Sequence, residues 1–158
     1  MRKKLTLTNM LEVLAFLTMI TLIFTMVVQV FARYLLPRIP AWSGEEVTTL
    51  LLIWLAFIGA GIAAGRMSHI SVDFLIEKLP ENIKLVATRV IYVIICIFLL
   101  YFAYLSFQLA WEGRVSRTPR LGISMFWIQI SIFTGAVIML YYYFKHLVQT
   151  FRSNSKGG

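Results

Sequence analysis

Charge is missing from four long stretches of this chain. No Asp, Glu, Lys, Arg or His lies between Val13 and Ala32, Val47 and Gly65, Val90 and Trp111, or Leu121 and Phe144. Ionisable side chains inside apolar spans mark proton relays, ion paths and counter-ions, so a self-sufficient proton-coupled pump is not expected. The chain has two histidines, His69 and His146, and both lie outside these stretches. That excludes a haem held between the helices. Cys96 is the only cysteine and sits in the third stretch, so no intrachain disulfide and no thiolate metal site can form; a small apolar filler is its expected role. No nucleophile and base are paired as an intramembrane hydrolase needs. The chain is therefore not expected to be an enzyme or to hold a cofactor. Acidic residues are also scarce, seven Asp+Glu against 15 Lys+Arg, for a net charge of +8. A basic balance can signal nucleic acid, but here the basic residues flank the apolar runs, so membrane lipid is the expected partner and nucleic acid is not.

What the chain has in excess is apolar length. It is 59% hydrophobic, above the roughly 45–50% of a soluble domain. The run from Val13 to Ala32 would be about 30 Å long as a helix, one hydrocarbon thickness. The run from Leu121 to Phe144 would be about 36 Å, so it must tilt or protrude. These features predict an all-α integral membrane protein, a single domain over 1–158, with four transmembrane helices near 10–35, 44–65, 82–111 and 120–146 in one compact bundle. Arg2, Lys3 and Lys4 resemble the start of a signal peptide, but the following run is too long and no A-x-A-like site closes it, so the first span is expected to be retained.

Local signals set the expected helix ends. Asn9 and Glu12 have the spacing of an N-cap pair, and Ser43 and Glu46 that of a capping box. Glu45 and Glu46 both suit the positive end of a helix. The connector 66–89 has an apolar side made by Ile70, Val72, Phe74, Leu75 and Leu79, which predicts a short interfacial helix. Pro80-Glu81-Asn82 begins the third span. Lys and Arg are twice as numerous on the N-terminus, the 66–89 connector and the tail as on the 33–46 and 112–120 connectors. The positive-inside rule then places both termini in the cytoplasm.

Uncharged polarity is concentrated on the first span. Thr18, Thr21, Thr25 and Gln29 form one stripe, extended at its end by Arg33. The stripe can bond a neighbouring helix, in this chain or another, or its threonines can bond their own helix's carbonyls. On the second span Gly61 and Gly65 make GxxxG beside Ala56, Ala60 and Ala64, a pattern that lets backbones approach closely within the chain or between subunits. Arg66, His69 and Asp73 cluster after that span; a polar group fixing the turn is expected rather than a metal site, which would want more ligands. Trp42, Trp111, Trp127 and Tyr141–Tyr143 read as interface anchors, and Trp54, falling mid-span, as packing.

Val30-Phe-Ala-Arg-Tyr34, Trp42-Ser-Gly-Glu-Glu46, Ile53-Trp54 with Phe57-Ile-Gly59, His69-Ile-Ser-Val-Asp73, and Thr118-Pro119 with Leu121-Gly-Ile-Ser124 occur in an order and spacing that resemble the DctQ-like small membrane subunits of tripartite ATP-independent periplasmic (TRAP) transporters. The likeness runs over roughly residues 8–150, with the sialic-acid branch the nearest in character. Gly44, between the Trp-Ser pair and the acidic residues, is a departure. The resemblance implies a scaffold in the bacterial inner membrane, serving a large membrane subunit that carries the substrate and sodium sites. A periplasmic substrate-binding protein would deliver an organic acid such as sialic acid or a C4-dicarboxylate. It implies Thr18, Thr21, Thr25, Gln29, Gly61 and Gly65 as candidate contacts to the large subunit. Arg33, Arg38, Glu45, Glu46, Arg114, Arg117 and Arg120 become candidates for the periplasmic protein. The competing expectation is a stand-alone oligomeric small-molecule transporter.

Overall fold

The computed structural model describes residues 2–35, 45–67 and 81–154. They form four α-helices: α1 (Arg2–Leu35), α2 (Glu45–Met67), α3 (Glu81–Glu112) and α4 (Phe126–Asn154). Each contains a segment long and apolar enough to cross a membrane: Thr8–Leu35, Glu45–Arg66, Val86–Glu112 and Phe126–Thr150. The all-α, four-span architecture expected from the charge-free runs is thus present. The interfacial helix expected between the second and third spans falls mainly on 68–80, outside the described residues.

Two helix starts differ from expectation. Helix α1 begins at Arg2, well before Asn9; Arg, Lys and Leu favour helix and carry it through the N-cap signal. Glu12 then has a different partner, the Arg66 guanidinium of α2 at 2.6 Å. Helix α4 begins at Phe126, after the start of its charge-free run. Gly122 takes a φ of 64°, a left-handed conformation that suits glycine and ends regular structure there. The Ser124 hydroxyl accepts the N–H of Phe126 at 3.3 Å, as an N-terminal serine does. The excess apolar length at this end is therefore a folded connector and not a protruding helix.

The helices do not close into the compact bundle that was expected. Helix α1 packs on α2, α2 on α4, and α4 on α3, which gives an open row in the order α1–α2–α4–α3. In lipid an apolar helix face costs nothing to leave outward, so packing alone decides which faces meet. Helix α1 turns a narrow seam inward, from Leu11 through Ala15, Thr18, Leu22, Thr25 and Gln29 to Ala32, while Phe16, Phe24 and Phe31 stay exposed. Alternating steps of three and four keep that seam on one face. Helix α3 repeats the device with Tyr92, Cys96, Leu99, Ala103, Ser106 and Ala110, all buried.

The α2–α4 joint is the closest. A Cβ on Gly61 would lie 2.6 Å from Ile138 Cγ2, and one on Gly135 would lie 2.6 Å from Phe57 Cβ. The Tyr142 ring covers Gly65. The order 57, 61, 65 matches 135, 138, 142, so α2 and α4 run parallel, as the second and fourth crossings of a membrane must. The mid-span Trp54 packs here too, and its indole N–H donates to the Trp127 carbonyl at 3.1 Å.

Candidate functional site: the clamped connector and its charged end

Successive crossings bring the C-terminal ends of α1 and α3, the N-terminal ends of α2 and α4, and the 113–125 connector to one end of the row. The connector is a small folded unit. Arg117 and Ser124 form an antiparallel bridge. The Thr118 N–H donates to the Ile123 carbonyl at 2.9 Å, and the Met125 N–H to the Ser116 carbonyl at 2.9 Å. The buried Thr118 hydroxyl accepts the Ile123 N–H at 3.0 Å.

Glu46 fastens this unit to α2. Its Oε1 accepts the N–H of Arg120 at 2.8 Å and its Oε2 the N–H of Leu121 at 2.9 Å; the Thr118 hydroxyl is hydrogen-bonded to the same carboxylate. Both oxygens thus bond the connector; Ser43, the other member of the expected capping box, lies outside the described residues. Two N–H donors on one ionised carboxylate make charge-assisted bonds, stronger than neutral ones. Local spacing alone makes Glu46 a cap and an outward contact. Its partners lie 74 and 75 positions away, and no local spacing rule reaches that far.

The remaining charged candidates surround this clamp. Arg114 places its guanidinium over the Trp111 ring, 3.5 Å from the centroid, with the Phe126 ring at 5.4 Å. Arg117 Nη1 donates to the Gly122 carbonyl at 3.3 Å. Arg33, Glu45 and Arg120 are exposed. Arg38 lies outside the described residues. The structure therefore gathers Arg33, Glu45, Glu46, Arg114, Arg117 and Arg120 at one end, with Glu46 turned inward to hold the connector.

The uncharged stripe of α1 divides. Thr18, Thr21 and Thr25 donate to the carbonyls of Leu14, Leu17 and Thr21 at 2.8, 2.9 and 2.7 Å, the self-bonding alternative. Gln29 Nε2 donates to the Thr48 hydroxyl of α2 at 2.6 Å. Gly61 and Gly65 meet Ile138 and Tyr142 of α4. All of these contacts lie within the chain. At the opposite end of the row, Thr8 Oγ1 and the Tyr142 hydroxyl are 3.1 Å apart, near the exposed Arg66–Glu12 pair. Of the Arg66, His69 and Asp73 cluster, His69 and Asp73 fall outside the described residues.

Comparison with known proteins fits this architecture. Residues 22–153 match the family described as tripartite ATP-independent periplasmic transporters, DctQ component. The chain is 29% identical over 133 residues to the sialic acid TRAP transporter small permease protein SiaQ of Vibrio cholerae, covering 84% of this chain and 76% of that protein. It is 24% identical over 131 residues to the sialic acid TRAP transporter permease protein SiaT of Haemophilus influenzae. That match takes in 81% of this chain but only 21% of the relative, so the chain corresponds to about a fifth of that longer protein.

Proposed function

The chain belongs to the DctQ component family of tripartite ATP-independent periplasmic transporters, and from that premise we propose that this multi-pass small permease subunit is a scaffold that carries no transport chemistry of its own. The observation that carries the proposal is the lack of any Asp, Glu, Lys, Arg or His in its four long apolar runs. Coupling a solute to an ion gradient needs groups that bind or release charge within the membrane, and those belong to the large membrane subunit, where the sodium sites would lie.

In this reading the protein sits in the bacterial inner membrane with both termini in the cytoplasm, as its Lys and Arg distribution favours. The Glu46-clamped connector then faces the periplasm. There Arg33, Arg114, Arg117 and Arg120, with Glu45, help to dock the substrate-binding protein. Charged rims of this kind steer encounter and orientation more than they add affinity. The cargo is an organic acid, and sialic acid is the first to test because both relatives are named for it.

Reconstitution tests the proposal. The chain alone in liposomes should not accumulate sialic acid under an inward sodium gradient. The chain with its large subunit and binding protein should. Uptake by the chain alone would refute the scaffold reading and favour a stand-alone oligomeric transporter.

A further inference from the structure

Most serine and threonine hydroxyls on the described spans are satisfied by their own helix. Thr18, Thr21, Thr25, Thr49, Ser106, Ser131 and Thr134 each donate to a carbonyl three or four residues earlier. Such groups make no demand on a neighbour. On the exposed side of α3, within its charge-free run, Tyr101, Tyr104 and Gln108 are polar side chains too long for this device. Tyr101 and Tyr104 are 63% and 65% exposed, and Gln108 is exposed as well. At 100° per residue they share one stripe, with Tyr101 and Gln108 opposite the buried seam that faces α4. Tyr101 is midway along the charge-free run from Val90 to Trp111, about 15 Å from either end and so near the centre of the hydrocarbon. An interfacial tyrosine belt does not account for a residue at that depth.

The Tyr101 hydroxyl, left in hydrocarbon, loses its hydrogen bonds to water with nothing in exchange, and Tyr104 and Gln108 continue the polar stripe from there toward the Trp111 end. The outward face of α1, with Phe16, Ile20, Phe24, Val27 and Phe31, makes no such demand and suits lipid. Beside the α3 stripe an apolar groove of about 490 Å³ opens between α3 and α4, with Val93, Ile97, Leu100 and Tyr141 on its walls. It offers room for the side chains of a packed helix next to the polar row.

We propose that this face of α3, through Tyr101, Tyr104 and Gln108 with the adjoining groove, is the membrane-embedded surface that meets the large subunit, and that the outer face of α1 is the lipid-facing side. The assignment rests on the reading of the chain as that subunit's partner. It moves the joint away from Thr18, Thr21, Thr25, Gln29, Gly61 and Gly65, whose contacts are already made within the chain.

Site-directed photo-crosslinking tests it. In a Cys96→Ala background, Gln108→Cys and Phe24→Cys variants are each labelled with a benzophenone maleimide and irradiated in membranes that also contain the large subunit. The expected result is a band shifted to the summed mass of the two subunits from the position-108 probe, and none from the position-24 probe. The reverse pattern overturns the assignment. So does a position-108 band at twice this chain's mass, which would indicate a second copy, or label found only on lipid. A second arm uses the unlabelled triple variant Tyr101→Phe, Tyr104→Phe, Gln108→Leu, which makes α3 a better lipid-facing helix. Recovery on a tagged large subunit should fall about tenfold or more while the amount of chain in the membrane holds; unchanged recovery overturns the assignment. If the unaltered chain is never recovered with the large subunit, the scaffold reading falls and the face assignment with it.

Discussion

The carboxylate of Glu46 accepts the backbone N–H of Leu121 at 2.9 Å, across 75 positions of sequence. One side chain in the first turn of α2 thereby sets where the connector before α4 sits, and with it the neighbouring arginines. Glu46→Gln keeps the shape but loses the ionised acceptor, and Glu46→Ala loses both. Amide hydrogen exchange at Arg120 and Leu121 should quicken in both variants, more in the alanine variant. Exchange along the α2–α4 joint should stay as it is. Unchanged exchange at both amides would show that the connector holds itself.

The charged end makes a separate prediction. Charge reversal at Arg114, Arg117 or Arg120 should slow association of the periplasmic binding protein and lower uptake, with the large subunit still recovered in full. The difference from the unaltered protein should shrink as salt rises, since exposed charges are screened beyond about 8 Å at physiological ionic strength. Uptake kinetics at two salt concentrations read this directly, and equal rates for all three reversals would remove the docking role.

The α2–α4 joint predicts a contrast between glycines. Gly135→Val drives side-chain atoms into Phe57 and its carbonyl and should cost about 1–3 kcal/mol, the usual range for overpacking. Gly59→Ala meets nothing within 4 Å and should leave stability the same or slightly raised, because alanine favours helix. Thermal melting of the detergent-solubilised protein distinguishes the two.

The Gln29–Thr48 bond should have a modest effect. Hydrogen bonds between helices in membranes contribute about 0.6 kcal/mol on average, so a double-mutant cycle of Gln29→Leu and Thr48→Val should give a coupling of that order. A coupling indistinguishable from zero would mean that α1 is held by its seam packing alone.

The four spans could be read from the chain because lipid selects for long apolar runs, and such runs are a property of sequence alone. Pro80-Glu81 likewise marked the start of α3, since proline acts on its immediate neighbours. The start of α1 could not be read, because the Asn9–Glu12 signal competes with helix-forming residues on both sides and with an ion pair to Arg66. The stripe of Thr18, Thr21, Thr25 and Gln29 showed where the polarity lies but not how it is used; three residues turn back on their own helix and one reaches α2. Glu46 was legible as an acidic first-turn residue, while its bonds to Arg120 and Leu121 depend on how two distant helices lie side by side.

A row one helix thick has no interior in the sense that a globular domain does. Every seam in it lies one side chain away from whatever solvates the broad faces, whether lipid tails or another protein. The surrounding bilayer therefore acts as part of the core, and the fold should respond to acyl-chain length and detergent more strongly than its own contacts would suggest. A plank of this kind resists bending only when something stiff is fixed along it, so the rigidity that a scaffold needs would arise on assembly and not before it.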